Sequence, residues 1–139
     1  MTTVCASGYF DPLHVGHLEY LRGAKRLGDR LVVIVNNDNQ ATMKKGRPFM
    51  PAAERAKIVE ALEFVDEVCI AIDEDRTVCK TLEAVCPHMF CNGGDQNNAS
   101  IPEALVCEEL GIKLVDGLGE KIQSSSWLIA GQSDNKSTV

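Results

Sequence analysis

Two histidines three residues apart, His14 and His17, close the stretch GYFDPLHVGH that begins at Gly8. An apolar run, Val4-Cys5-Ala6, leads into it, Gly8 breaks that run, Pro12 suits a first helical turn, and an apolar-periodic segment follows from Val15. If the segment is helical, both imidazoles share one face at its start, where backbone N–H groups and the helix dipole favour an anion. A glycine turn, a helix N-terminus and two imidazoles converging on one point suit a polyphosphate far better than a carboxylate or an apolar ligand. A polyphosphate needs positive charge around its crowded phosphates. His14, His17, Lys44, Lys45, Arg47 and Arg55 are the candidate cations. The bland alternative is a surface strand-turn-helix carrying two solvated histidines.

The elements that must position these groups alternate along the chain. Strands are expected over Thr3–Ala6, Leu31–Val35, Glu67–Ile72, Met89–Cys91 and Ile112–Val115. Helices are expected over Val15–Leu27 (ended by Gly28), Ala52–Leu62, Thr77–Val85, Ile101–Leu110 and Ser125–Ala130. The continuous β-branched run Leu31–Val35 suits a central parallel strand covered on both faces. Asn36–Pro51 is polar and reads as a long functional loop. This alternation implies an α/β fold: a Rossmann-like, five-stranded parallel sheet with right-handed crossovers and helices on both faces. Ligands of such sheets bind at the carboxyl ends of the strands. Gly8–His17, Asn36–Pro51, Asn92–Ser100 and Gly117–Ser126 should therefore meet at one cleft. Residues 1–131 read as one domain and 132–139 as a polar tail.

GYFDPLHVGH resembles the G-x-F-D-x-x-H-x-G-H signature of the cytidylyltransferase-like nucleotidyltransferases. The likeness runs from Thr3 to about Ala130 and implies that family's fold, with a phosphate oxygen of an acceptor attacking the α-phosphorus of a nucleoside triphosphate. It assigns His14 and His17 to the triphosphate in the transition state. Gly8, Tyr9, Phe10 and Gly16 fall where backbone approaches the phosphates, and Asp11 matches a family aspartate that we read as fixing the turn or orienting a histidine. Lys44-Lys45-Gly46 matches a loop lysine that reaches across the phosphates; Lys45 is our choice for the acting residue, with Lys44 as a binding neighbour. Arg55 matches an arginine that grips phosphate. Gly94 and Asp95, in Asn92-Gly93-Gly94-Asp95, match a segment that meets base and ribose. Ser124, Ser125 and Ser126 match the serine and threonine head of the last helix. The cytidylyltransferase branches carry an arginine where this chain has Gly119, and Lys121 is a candidate replacement. Gly28–Asp66 resembles the heptose adenylyltransferases about as well. The resemblance thus implies CTP or ATP, Mg²⁺ with the triphosphate, a small phosphorylated acceptor and a homodimer. The cytidylyl form has a slight edge, because its branches are more numerous.

With 139 residues and a net charge of −6, the chain suits one domain and argues against a nucleic-acid surface. No apolar run reaches the length of a membrane helix and no signal-peptide pattern opens the chain, so a cytoplasmic protein is expected. Cysteines at 5, 69, 79, 86, 91 and 107 form no C-x-x-C pair, and they read as buried reduced thiols with no metal site. Two rival readings are a non-catalytic nucleotide sensor and a metal-binding redox protein.

Overall fold

The computed structural model describes residues 1–93 and 102–118. They run β1 (Thr3–Gly8), α1 (Val15–Lys25), β2 (Arg30–Val35), α2 (Asp38–Lys45), α3 (Ala52–Glu60), β3 (Glu67–Ile70), α4 (Cys79–Val85), β4 (Met89–Gly93), α5 (Glu103–Leu110) and β5 (Lys113–Leu118). The strands form one parallel sheet in the order β3-β2-β1-β4-β5. The chain builds outward from β1 through β2 to β3, then returns to β1's other edge as β4 and β5. The reversal falls between β1 and β4, the place where open α/β sheets take ligands.

The two-residue strand period sorts the core into two layers. Val4, Ala6, Leu31, Val33 and Val35 face one side, under Tyr20, Leu21 and Ala24 of α1 and Val59 of α3. Cys5, Ile34 and Phe90 face the other, with Val78, Leu82, Cys107 and Ile112. Leu31–Val35 is buried along its whole length, as a doubly covered strand requires. Among the described residues, no helix is long and apolar enough to cross a membrane.

The structure departs from the sequence reading in three places that matter. Pro12 lies before the first helical turn: the Asp11–Pro12 peptide is cis, and α1 begins at Val15 with His14 as its N-cap. Gly28 does not stop α1, which ends at Lys25 with Arg26 as its C-cap. A side chain on Gly28 would instead put a Cβ 2.7 Å from the Thr2 carbonyl oxygen and 2.7 Å from Val4 Cγ2, so the residue is small because β1 passes against it. Asn36–Pro51 is not a plain loop, because it contains α2. That helix has almost no apolar face and is held by polar caps instead. Asn37 Oδ1 accepts the Gln40 N–H at 2.8 Å, and Gln40 Oε1 accepts the Asn37 N–H at 2.9 Å. The buried Gln40 amide then donates to the Asp75 and Thr77 carbonyls, and Asn37 donates to those of Ala71 and Asp73. Smaller differences are β3 ending at Ile70, α4 beginning at Cys79 and β5 continuing to Leu118. Gly94, Asp95, Ser124, Ser125, Ser126 and the expected helix over Ser125–Ala130 lie outside the described residues.

Candidate active site

The two histidines cap α1 and fix each other. His14 has extended backbone, with φ −143° and ψ 178°. Its Nδ1 accepts the Gly16 N–H at 3.1 Å, and His17 Nδ1 accepts the His14 N–H at 3.1 Å. With both Nδ1 atoms acting as acceptors, each neutral ring carries its proton on Nε2, the atom left to donate to a ligand. The rings stack with centroids 3.8 Å apart and planes 27° apart. Burial first, then His14, then Lys44 lower the His17 pKa to about 4. In the free protein at neutral pH His17 is therefore a neutral donor, not the cation expected from its residue type.

Behind His17 lies Phe10, buried, with its ring 5.0 Å away and edge-on at 76°. Phe10 has φ 51°, a left-handed conformation that costs a bulky residue about 1–3 kcal/mol. That backbone turns the side chain inward, back under the first loop. Gly8 accommodates it: a Cβ there would stand 2.8 Å from Phe10 Cζ. Gly8, Phe10 and Gly16 thus reach the site through the histidines, Gly16 by its N–H and Phe10 by its ring.

Lys44 on α2 sets its ammonium 4.3 Å from the centroid of the Tyr9 ring. Its charge reaches His17. Lys45 ends α2, and its side chain lies outside the described residues.

Asp11 and Arg55 join the Gly8–His17 segment to the α2–α3 region. Asp11 accepts the Phe49 N–H at 2.7 Å and the Met50 N–H at 2.8 Å, one on each carboxylate oxygen. Arg55, expected to face a phosphate, is fully buried. Its Nε donates to the Met50 carbonyl at 2.9 Å, and Nη1 donates to the Tyr9 and Asn36 carbonyls, each at 2.8 Å. Nη2 pairs with Asp38 Oδ1 at 3.0 Å, an oxygen that also accepts the Ala52 N–H. The guanidinium fork matches converging carbonyls so well that its donors are used inside the protein. Arg55 therefore sits behind the site and holds its walls.

The sequence reading missed Asn36 and Asp38, which take part in this junction, and the buried Tyr20 below it. A signal existed for the first two: Asn and Asp directly after a strand, with glutamine three residues past Asn37, form a helix-start pattern. Burial makes Cys5, Cys91 and Cys107 poor nucleophiles: it pushes Cys91 up to about 12 and Cys107 up to about 11, and raises Cys5 as well. Cys86 departs from the expectation of buried thiols and is exposed. Among the described residues, no three His, Cys, Asp or Glu side chains gather as a metal site.

The cytidylyltransferase-like family profile matches residues 5–129. The bifunctional protein HldE of Streptomyces coelicolor is 44% identical over 112 residues, covering 79% of this chain and 24% of that protein. The FAD synthase of Ferroglobus placidus is 41% identical over 97 residues, covering 70% of this chain and 62% of its own length. The chain thus spans about a quarter of the HldE relative. The crystal structure of the lipopolysaccharide core biosynthesis protein of Thermoplasma volcanium superposes with a TM-score of 0.72 at 31% identity, covering 84% of this chain and 95% of that one. With the signature residues capping the helix at the sheet's carboxyl edge and this match along most of its length, the chain belongs to the cytidylyltransferase-like family of nucleotidyltransferases.

Proposed function

We propose that the protein transfers AMP from ATP to a phosphate group on a small acceptor, a sugar phosphate or FMN, and releases pyrophosphate. An acceptor phosphate oxygen forms the new P–O bond at the α-phosphorus while the bond to the pyrophosphate oxygen breaks. His14 and His17 donate from Nε2 to phosphate oxygens on which charge accumulates, the N-terminus of α1 adds its dipole, and Lys44 closes over the same group. Asp11 and Arg55 hold the walls. Mg²⁺ bound with the nucleotide would neutralise part of the triphosphate's charge, which His14, His17 and Lys44 would complement.

The observation that carries this reading is the pair of stacked imidazoles at the start of α1, each with Nδ1 accepting a backbone N–H and Nε2 left for a ligand. The slight edge that sequence reasoning gave to CTP gives way on the relatives: HldE belongs to ADP-heptose synthesis, and FAD is FMN joined to AMP. The departure at Gly119 from the cytidylyltransferase branches supports the same choice. A homodimer is part of the proposal, and sedimentation at micromolar concentration tests it.

Pyrophosphate release, measured with MgATP or MgCTP against FMN, sugar 1-phosphates and polyol phosphates, tests the activity. Turnover with ATP and little with CTP is the expected outcome. Turnover with CTP alone would reverse the nucleotide assignment, and tight nucleotide binding without turnover on any acceptor would favour a sensor.

A further inference from the structure

The Lys44 ammonium stands 4.3 Å from the centroid of the Tyr9 ring, inside the roughly 6 Å over which the negative face of an aromatic ring attracts a cation. The two ends of this contact are anchored separately. The Tyr9 backbone is held by its carbonyl, which accepts Arg55 Nη1 at 2.8 Å. Lys44 lies in the last turn of α2, a helix pinned by the reciprocal Asn37–Gln40 cap and by the Arg55–Asp38 pair. Neither backbone depends on the contact, so the ring decides only where the ammonium goes. Lys44 is exposed, and an exposed lysine chain without a partner samples many rotamers; ordering it on binding opposes affinity. On the half-buried Tyr9 ring, the ammonium is held on the side of the imidazoles. Tyr9 directly precedes Phe10, whose ring meets His17 edge-on, and the Lys44 charge is one that His17 senses. An ammonium carries three N–H donors, and a ring against one side of it leaves donors free on the other. The held lysine can therefore meet a phosphate oxygen without leaving its platform.

We propose that Tyr9 is a positioning residue whose ring holds the Lys44 ammonium beside the start of α1, pre-ordered for the phosphates that the two imidazoles meet. The proposal rests on the nucleotidyl-transfer reading above. The signature G-x-F-D leaves the side chain after its glycine open, so the resemblance gives position 9 a backbone role only, and the tyrosine is this chain's own choice. An aliphatic side chain there would fill similar space and leave the ammonium loose. Because the Tyr9 carbonyl, and not its ring, holds Arg55, a change of side chain at position 9 leaves that junction in place.

Calorimetry with pyrophosphate, run as a double-mutant cycle, tests the coupling. Tyr9→Leu keeps apolar bulk and removes the π face. It should weaken pyrophosphate binding about three- to fivefold, the worth of an exposed cation–π contact. Tyr9→Phe keeps the face and should regain most of that loss. Lys44→Ala should weaken binding as well, and adding Tyr9→Leu to it should cost nothing further, because the ring then has no cation to hold. Full additivity of the two losses, or Tyr9→Leu binding as tightly as wild type, would overturn the proposal. So would a Tyr9→Phe variant as weak as Tyr9→Leu, since the phenol hydroxyl would then be the acting group. If the wild-type protein binds neither pyrophosphate nor MgATP, the nucleotide reading fails and takes the proposal with it; if it binds both and the cycle shows no coupling, only the role of Tyr9 fails. Should Tyr9→Leu not fold, the unsubstituted protein still decides by NMR. The ring current should shift the Lys44 ε-methylene protons upfield of those of the other lysines, and ordinary positions for them would equally overturn the proposal.

Discussion

His17 serves two tasks with its two nitrogens. Nδ1 accepts the His14 N–H and completes the cap, while Nε2 is left to donate. Protonating Nδ1 would break the cap, in line with a pKa lowered to about 4 by burial, His14 and Lys44. Below the unfolded value of 6.5, unfolded chains bind a proton at this residue that the folded protein refuses until near pH 4. This histidine's contribution to stability is therefore complete above pH 6.5 and declines as pH falls from 6.5 to about 4. NMR titration should place its midpoint near 4 in the free protein and higher with ATP bound, since the anion favours the imidazolium; an ordinary midpoint in the free protein would contradict the geometry. His17→Ala should lower turnover about 10²-fold or more, and loss of its half of the cap should cost about 0.5–2 kcal/mol, too little to unfold the domain. The motif made both histidines legible in the sequence. The charge state of His17 was not, because part of what sets it is Lys44, which arrives on α2, a helix with no apolar period.

At the scale of elements, two residues hold the site's walls. Asp11 ties the Gly8–His17 segment to Phe49 and Met50, and Arg55 ties the same segment to the end of β2, to α2 and to the start of α3. Arg55→Lys keeps the charge but replaces the planar fork with a point cation that cannot reach four acceptors. A buried charge deprived of partners costs about 3–5 kcal/mol. Thermal melting should show Arg55→Lys severely destabilised. A variant as stable as wild type and impaired only in turnover would return Arg55 to a direct phosphate role. Asp11→Asn should be milder, about 1–3 kcal/mol, since one amide donor must then face an N–H. Sequence pattern exposed the helices that bury an apolar stripe, α1 and α3. It missed α2 because that helix is fixed by side-chain amides that bond to a loop after β3, contacts that leave no apolar period. Arg55 was legible as important but not as buried, since its carbonyl partners are set by the tertiary fold.

For the whole molecule, alternating strand and helix patterns were enough to give a parallel sheet, because crossover handedness and double burial follow from local chemistry. The order β3-β2-β1-β4-β5 was not, because no local pattern says on which edge of β1 the fourth strand docks. That order puts the crevice beside β1, the strand that carries the histidine loop at its end. Any ligand seated there touches both halves of the sheet, so its binding energy should stabilise the domain as a unit. ATP at about one hundred times its Kd should add about 2.7 kcal/mol, which for a chain of 139 residues raises the melting temperature by roughly 10 °C. CTP at the same concentration should raise it by much less. His17→Ala should lower the unliganded melting point by a few degrees through loss of the cap, and should reduce the ATP shift measured from that lowered baseline. A shift with ATP that survives the loss of both imidazoles would mean that the nucleotide sits elsewhere on the sheet, and the assignment of the α1 N-terminus would have to be abandoned.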